Sequence, residues 1–215
     1  MIMKPIKIAV LGGTGKAGKF LVTTLLNSGF EIRLLIRNPE HLPFENPLMD
    51  VITGNANSYQ DIKSLLTGCD AIISTLGLGI PNSETSIFST ATTNILAAMQ
   101  ELEINRYIVI TGLNVATPRD SKNPAVQAAT NWMKTHYPET TADKQQEYAI
   151  LSQSEADWTL VRLPLIELTD AITKTRVSTQ DCSGNMIGAK NLALFLIAQL
   201  TDTQYHRKAP FIANV

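Results

Sequence analysis

The chain has 215 residues, a formal net charge of −1, 44% hydrophobic residues and 17% charged residues. This length and apolar content predict one globular domain with a substantial core, and they exclude a largely disordered chain. The nearly neutral charge argues against a nucleic-acid-binding protein, which usually carries an overall basic excess. The two cysteines, Cys69 and Cys182, do not have the spacing of metal ligands, so we predict no metal site.

Neither a signal peptide nor a membrane span is recognisable in the sequence. No long apolar stretch precedes the first predicted strand. The longest uncharged stretch, 85–100, is interrupted by Ser, Thr and Asn, and it is too short and too polar to cross a bilayer. These features are typical of a cytoplasmic protein that does not contact membranes.

The predicted elements alternate between strands and helices from the start of the chain. A short apolar run at 6–11 predicts a buried parallel strand, and apolar residues at helical spacing follow it until Ser28-Gly29. Further strands are predicted at 31–36, 50–53, 71–74, 106–111 and 158–162, and further helices from Ser58 to about 68 and at 87–102, 142–152 and 191–200. This alternation predicts an α/β fold, a doubly wound parallel sheet of the Rossmann type, as a single domain over 1–215.

Two stretches, 114–141 and 164–186, break the alternation. The first of them contains three prolines. Both follow the ends of predicted strands, where open α/β sheets place their ligand crevice. We interpret them as loops that form the walls of a substrate pocket, with ordinary surface loops as the alternative.

A glycine-rich turn, Gly12-Gly13-Thr14-Gly15-Lys16-Ala17-Gly18, joins the first strand to the first helix. In such a turn one glycine permits the sharp bend, another lets the backbone approach a pyrophosphate, and a third allows helix and strand to pack closely. The helix N-terminus adds N–H donors and the positive end of a dipole. In this β-α-β context the turn predicts a dinucleotide-binding site.

Arg37 follows the second predicted strand. An acidic residue at this place usually holds the ribose 2′-hydroxyl of NAD(H), whereas an arginine suits the 2′-phosphate of NADP(H). The sequence therefore favours NADP(H), with NAD(H) as the alternative.

Four runs together resemble a known family: the glycine turn, LIRNP at 35–39, GCDAII at 68–73 and DWTLVRLP at 157–164. The chain is similar nearly end to end to atypical short-chain dehydrogenases, in particular to the biliverdin-IXβ reductase (flavin reductase) type and the NmrA-like proteins. The positions that this resemblance assigns to the cofactor are Gly12, Gly13, Thr14, Gly15, Lys16 and Ala17 at the pyrophosphate, Asn55 and Ala56 near adenine, Leu76 and Gly77 beside the ribose and nicotinamide, and Pro164 at the nicotinamide carboxamide.

The chain departs from this family at two of its positions. Relatives usually have Asp where this chain has Asn55, so an uncharged amide is expected to make that contact. A histidine often follows the proline in the biliverdin reductase type, but here Leu165 follows Pro164. This difference argues against tetrapyrrole substrates.

Two residues are candidates for catalysis. Thr111 ends the fifth predicted strand, where relatives have Ser or Thr near the nicotinamide, and Lys144 matches a position that faces the cofactor in relatives. A solvated helix lysine is the alternative for Lys144. The Tyr-x-x-x-Lys motif of ordinary short-chain dehydrogenases matches only at Tyr59 and Lys63, which precede the fourth strand and lie too early to reach the nicotinamide.

The first functional hypothesis is an NAD(P)H-dependent reductase that passes hydride to a planar small-molecule acceptor such as a flavin or quinone. Water can protonate such an acceptor, so the missing Tyr–Lys pair is tolerable. The alternative is a non-catalytic, NmrA-like redox sensor that binds the dinucleotide and a protein partner. Sugar epimerase or dehydratase chemistry is a third option, but it usually needs the Tyr–Lys pair and a longer C-terminal domain. The sequence does not define the oligomeric state.

Overall fold

The computed structural model describes residues 6–41, 45–77 and 84–215. Its strands are β1 Lys7–Leu11, β2 Glu31–Ile36, β3 Met49–Thr53, β4 Ala71–Ser74, β5 Arg106–Gly112, β6 Asp157–Leu163, β7 Leu165–Glu167, β8 Thr175–Ser178, β9 Met186–Gly188 and β10 Phe211–Asn214. Its α-helices are α1 Lys16–Asn27, α2 Tyr59–Leu66, α3 Ile87–Glu101, α4 Pro124–His136, α5 Pro138–Gln153 and α6 Ala189–Ala198. A short 3₁₀ helix spans Pro39–His41.

The main sheet has the strand order β3-β2-β1-β4-β5-β6-β10-β8. Its neighbouring strands are parallel except at one edge, where β8 pairs antiparallel with β10. A separate parallel pair joins β7 and β9. The order of the first six strands is that of a doubly wound Rossmann sheet, so the predicted fold class is confirmed.

Two layers of helices cover the sheet, and β1 shows how its residues divide between them. Ile8 and Val10 pack with α1 and α6 on one face. Ala9 and Leu11 pack with α2, α3 and α5 on the other face. Because successive strand residues point to opposite faces, a strand covered on both sides must be apolar throughout. The prediction of a buried parallel strand at this place is confirmed.

The start of α2 has a side-chain N-cap but not a complete capping box. The Ser58 Oγ accepts a hydrogen bond from the Asp61 N–H at 3.3 Å, so Ser58 caps the helix as its sequence predicts. The Asp61 carboxylate does not reach back to the cap residue as in a capping box; it accepts from the Asn55 N–H at 2.8 Å. The helix start is thereby tied to the loop that follows β3.

The stretch 114–141 is not the irregular loop that the sequence predicted, because it contains α4 and the first turn of α5. Two of its prolines, Pro124 and Pro138, occupy the first positions of these helices, where a missing N–H costs nothing. The Asn123 Oδ1 caps α4 by accepting from the Val126 N–H at 3.0 Å. Pro124 and Pro138 therefore mark helix starts, and reading them as loop residues was wrong; Pro118 does lie in a turn.

The C-terminal part holds further differences from the predicted elements. The stretch 164–186 contributes β7 and β8, and β10 was not predicted. Helix α6 packs against α1, and Leu194 is 39% exposed on its outer side. Within the described ranges, no helix combines the length and the apolar character needed to cross a membrane.

Candidate functional site

The residues predicted to bind a dinucleotide gather at one edge of the sheet. The glycine turn follows β1, Arg37 follows β2, Leu76 follows β4 and Pro164 follows β6, while Thr111 lies near the end of β5. Because the carboxyl ends of parallel strands meet at the same edge, these positions border one crevice.

Two glycines of the turn are required by the packing of the protein itself. Gly12 has a φ of +71°, and a Cβ there would lie 2.6 Å from the carbonyl carbon of Thr75. A Cβ on Gly18 would lie 2.0 Å from the Gly12 carbonyl oxygen. Any side chain at either position would therefore push the turn away from its neighbours.

Gly15 has a different environment. It is exposed, and the nearest protein atom to a Cβ there would be the Gly12 oxygen at 3.2 Å. It is the N-cap residue of α1, and the helix has neither a side-chain cap nor an acidic residue in its first turn. An uncapped helix N-terminus under an exposed glycine offers N–H donors and a positive dipole end to an anionic group. The turn thus fits a pyrophosphate.

The loop after β3 lies beside the end of β2. The Gly54 N–H donates to the Ile36 carbonyl at 2.9 Å, which places Asn55 next to the strand end that carries Arg37. Arg37 and Asn55 are both exposed. The hydrogen bond to Asp61 holds the Asn55 backbone. The structure therefore brings together the two residues predicted for the 2′-phosphate and the adenine, although their contact with a cofactor stays a prediction.

Three more predicted positions lie between the loop after β3 and the end of β4. Ala56 is buried, and its carbonyl accepts from the Asn94 Nδ2 at 3.2 Å. Leu76 is half-buried and Gly77 is exposed. A Cβ on Gly12 would lie 2.8 Å from the Leu76 nitrogen, so the glycine turn and the segment after β4 are in direct contact.

Thr111 carries an unpaired hydroxyl at the end of β5. The residue is 3% exposed, and its Oγ1 has no hydrogen-bond partner among the described residues. Such buried, unsatisfied groups are uncommon and call for an explanation. The Leu113 N–H donates to the Leu163 carbonyl at 2.9 Å, so the buried Pro164 lies at the neighbouring strand end. A ligand in the crevice could supply the missing partner of this hydroxyl.

Lys144 lies in a different setting, between α5 and α3. It is half-buried, and its Nζ lies 4.8 Å from the centroid of the Phe88 ring. Burial lowers the pKa of Lys144, while the nearby carboxylates of Glu147 and Asp143 act in the opposite direction. In the described part of the chain, no hydrogen bond joins Lys144 to Thr111, so the two predicted catalytic residues do not form one direct pair.

A buried carboxyl group beside Lys144 was not predicted. Glu147 is 2% exposed, and its Oε1 accepts from the Thr92 hydroxyl at 3.1 Å. That hydroxyl lies 3.3 Å from the Tyr107 hydroxyl. Burial raises the pKa of Glu147 to about 8, well above that of an exposed carboxyl group.

Asp143 is the second missed residue, and it caps α3 from another helix. Its carboxylate accepts from the Phe88 N–H at 2.8 Å and from the Ser89 N–H at 3.3 Å. The sequence does carry a signal for both acids: Asp143, Glu147 and Leu151 recur every four residues and share the buried face of α5. Charged residues at this spacing are usually taken for a solvated face.

The rejected Tyr-x-x-x-Lys match lies outside the crevice. The Tyr59 hydroxyl and the Lys63 ammonium both contact the carboxylate of Glu101. These contacts join α2 to the far end of α3 on the protein surface. The motif therefore serves a structural contact here, in agreement with its early position in the chain.

The sheet order and the open glycine turn define a dinucleotide-binding α/β protein. A family model described as NAD(P)H-binding matches residues 12–203. The chain therefore belongs to this NAD(P)H-binding family, and the predicted resemblance to atypical short-chain dehydrogenases is confirmed. NAD(P)H as the class of cofactor is confirmed as well.

Three similar proteins illustrate the range of this fold. The chain is 26% identical over 212 residues to the uncharacterized sugar epimerase YhfK of Bacillus subtilis (strain 168), covering 94% of this chain and 92% of that one. It is 30% identical over 113 residues to a 3-beta-hydroxysteroid dehydrogenase of Mycolicibacterium neoaurum, covering 47% of this chain but only 31% of that enzyme. A short-chain dehydrogenase/reductase (wide type) from Veillonella parvula DSM 2008, solved in complex with NADP, has a TM-score of 0.77 at 17% identity and covers 98% of this chain and 95% of its own.

Proposed function

We propose that this protein is a reductase that prefers NADP(H) and passes hydride to a planar acceptor such as a flavin or a quinone. The observation that carries the proposal is the unpaired Thr111 hydroxyl at the crevice. The Tyr-x-x-x-Lys spacing ending at Lys144 would place Tyr at position 140, which is Thr140 in this chain. An acceptor that needs no strong protein acid suits such a site.

The cofactor would lie along the strand ends. The backbone of Gly12–Ala17 would hold the pyrophosphate, Arg37 the 2′-phosphate and Asn55 the adenine. The buried Pro164 would contact the nicotinamide carboxamide. The bound nicotinamide supplies the hydride, and the protein supplies binding and orientation.

Thr111 and Lys144 would act on the acceptor in different ways. The Thr111 hydroxyl can donate a hydrogen bond to an acceptor carbonyl, which would satisfy the buried oxygen. The Lys144 ammonium, held beside Phe88 and the carboxyl groups of α5, can stabilise negative charge that develops on the acceptor. The proton would come from water.

A non-catalytic redox sensor is the second candidate, and an exposed aromatic cluster on α4 favours it. Trp132 is 52% exposed, its ring stacks on His136 with centroids 4.4 Å apart, and Tyr137 lies beside it. Exposed aromatic side chains are enriched where proteins bind one another. A partner protein that reads the state of the dinucleotide could dock there.

Turnover distinguishes the two candidates. NADPH consumption is measured with a panel of flavins and quinones, with NADH as the comparison cofactor and Gly15→Val as the matched variant deficient in cofactor binding. A reductase consumes NADPH with at least one acceptor, and the variant does not at the same cofactor concentration. Tight NADPH binding without turnover on any acceptor would favour the sensor.

A further inference from the structure

A small pocket lies beside β6, between the loop that follows β5 and the segment that precedes β10. Its volume is about 140 Å³, and Trp158, at the start of β6, forms part of its wall. Pro164 follows the other end of the same strand, about 20 Å away at the usual rise of a strand. Trp158 therefore lies well apart from the strand ends that face the cofactor, while Thr117 and Arg119 come from the loop after β5.

The lining of this pocket is strongly basic. It includes Arg119, Arg207 and Lys208 and contains no carboxylate. In the described ranges the Arg119 guanidinium makes no ion pair. The Arg207 guanidinium forms one ion pair in the part of the chain that the structure describes, with the exposed Glu155 at 3.5 Å. The Lys208 ammonium donates to the neutral Gln204 carbonyl at 2.7 Å. Most of the positive charge is thus left without a counter-charge from the protein.

Trp158 adds a buried donor without an acceptor. The residue is 3% exposed, and its Nε1–H has no hydrogen-bond partner within the described part of the chain. The Tyr148 ring, which also lines the pocket, packs edge-on against the indole with ring centroids 6.2 Å apart. Buried indole N–H groups normally find a partner, so the missing acceptor points to a ligand.

The backbone holds Arg207 next to this indole. Its φ of 54° lies in the left-handed region that favours glycine. Its N–H donates to the Trp158 carbonyl at 2.7 Å. The backbone from which the Arg207 side chain extends is therefore held beside Trp158.

We propose that this pocket binds a small, doubly charged oxyanion, either a phosphate group or a dicarboxylate. Arg119, Arg207 and Lys208 supply the counter-charge, and the Trp158 Nε1–H donates a hydrogen bond to one oxygen. Arginine forks match carboxylate and phosphate oxygens geometrically, and the pocket volume suits a molecule of this size. The site is independent of the proposed reductase activity.

The Trp158 Nε1–H signal reports binding of an anion directly. The chain has two tryptophans, so Trp132→Phe leaves Trp158 as the single indole signal in a ¹⁵N–¹H spectrum. This protein, saturated with NADPH, is titrated with inorganic phosphate, with succinate, and with chloride at matched ionic strength. We expect a saturable shift of the Nε1–H signal with at least one of the two dianions and none with chloride. The responding dianion identifies the source of the oxyanion.

Variants locate the binding site. Arg119→Gln and Arg207→Gln should each weaken dianion binding by roughly tenfold, the usual size of a charge-assisted hydrogen bond. Lys134→Gln, an exposed cation on α4, is the control and should bind like the parent. Trp158→Phe keeps the ring and removes the donor; once circular dichroism has confirmed its fold, calorimetry should show weaker binding.

Several results would overturn the proposal. They are the absence of a signal shift with both dianions, an equal shift with chloride, or unchanged affinity in both arginine variants. A shift that occurs in the NADPH-free protein but not in the NADPH-saturated protein would also overturn it, because the anion would then occupy the dinucleotide crevice. Unchanged affinity in Trp158→Phe would overturn the assignment of the donor.

Discussion

The glycine turn and the polar cluster between α3 and α5 are two regions of the candidate site built by opposite means. The turn at 12–18 offers backbone N–H groups and a helix dipole, and its side chains are mostly small. The cluster is made of the side chains of Thr92, Asp143, Lys144 and Glu147, which are largely withdrawn from water. The turn exposes backbone groups because it lacks bulky side chains, whereas the cluster consists of polar side chains that are largely buried.

This difference determines how each region responds to change. In the turn, the outcome of a substitution depends on the space around a new Cβ, and that space differs among its glycines. In the cluster, the outcome depends on protonation, because burial separates the pKa of Glu147 from that of an exposed carboxyl group. Substitutions in the turn should therefore act at every pH, and those in the cluster should act with a pH dependence.

The largest expected effect is that of Gly18→Val on folding. A Cβ there meets the Gly12 oxygen at 2.0 Å, so helix and turn must separate. We expect a loss of roughly 3 kcal/mol or more in the free energy of unfolding, measured by urea denaturation. A variant of wild-type stability would show that the turn relaxes without cost.

Gly15→Val should leave the fold intact and act on the ligand. The nearest protein atom lies 3.2 Å from a Cβ at this position, but the branched side chain would occupy the place of the pyrophosphate. We expect at least tenfold weaker binding of NADPH and NADH by calorimetry, with a far-ultraviolet circular dichroism spectrum like that of the parent. Unchanged affinity would contradict the proposed position of the phosphates.

Arg37→Ala tests the charged side chain that we assign to the 2′-phosphate, whereas the pyrophosphate is assigned to the backbone of the glycine turn. Only NADPH carries the 2′-phosphate, so the substitution should weaken NADPH much more than NADH. A contact of this kind contributes about 1.5–3 kcal/mol, or roughly 10- to 150-fold in affinity. Equal losses for both cofactors would mean that Arg37 recognises another group.

Glu147→Gln tests the polar cluster through pH. A folded-state pKa of about 8, above the ordinary 4.5, means that wild-type stability falls as the pH rises from 4.5 through 8. The glutamine cannot ionise, so the variant should gain at least about 1 kcal/mol relative to wild type between pH 5 and pH 9. Denaturation at both pH values measures this change, with the exposed Glu139→Gln on the same helix as the control. A constant difference between variant and wild type would show that Glu147 is not perturbed.

Thr111→Val should have the smallest effect. Because the hydroxyl has no partner among the described residues, its removal should leave the stability of the free protein unchanged or slightly raised. In steady-state kinetics with a flavin and a quinone we expect less than a tenfold fall in kcat and little change in NADPH binding. A fall beyond a hundredfold, within the ~10²–10⁴-fold range of general acid catalysis, would make Thr111 a proton relay.

The regions of the chain also differ in how well the sequence predicted them. The β1-turn-α1-β2 unit was predicted with nearly its observed bounds, because apolar periodicity, glycine spacing and the Ser28-Gly29 stop act over short distances. Helix α4 and strand β10 were missed. Pro124, the proline that begins α4, was taken for a loop residue, and β10 is a short apolar segment whose identity depends on its partners β6 and β8.

Arg162 shows most clearly what tertiary structure decided. By its type it would be placed on the surface, yet it is fully buried against the Phe211 ring, with its Nη1 donating to Asp120 at 2.6 Å. Glu147 and Trp158 likewise acquire their chemistry from residues distant in the chain. The sequence by itself determined the fold class, the glycine turn and the family, since these depend on local patterns. Only the tertiary structure decided which polar side chains are buried, because burial depends on what long-range packing places around each of them.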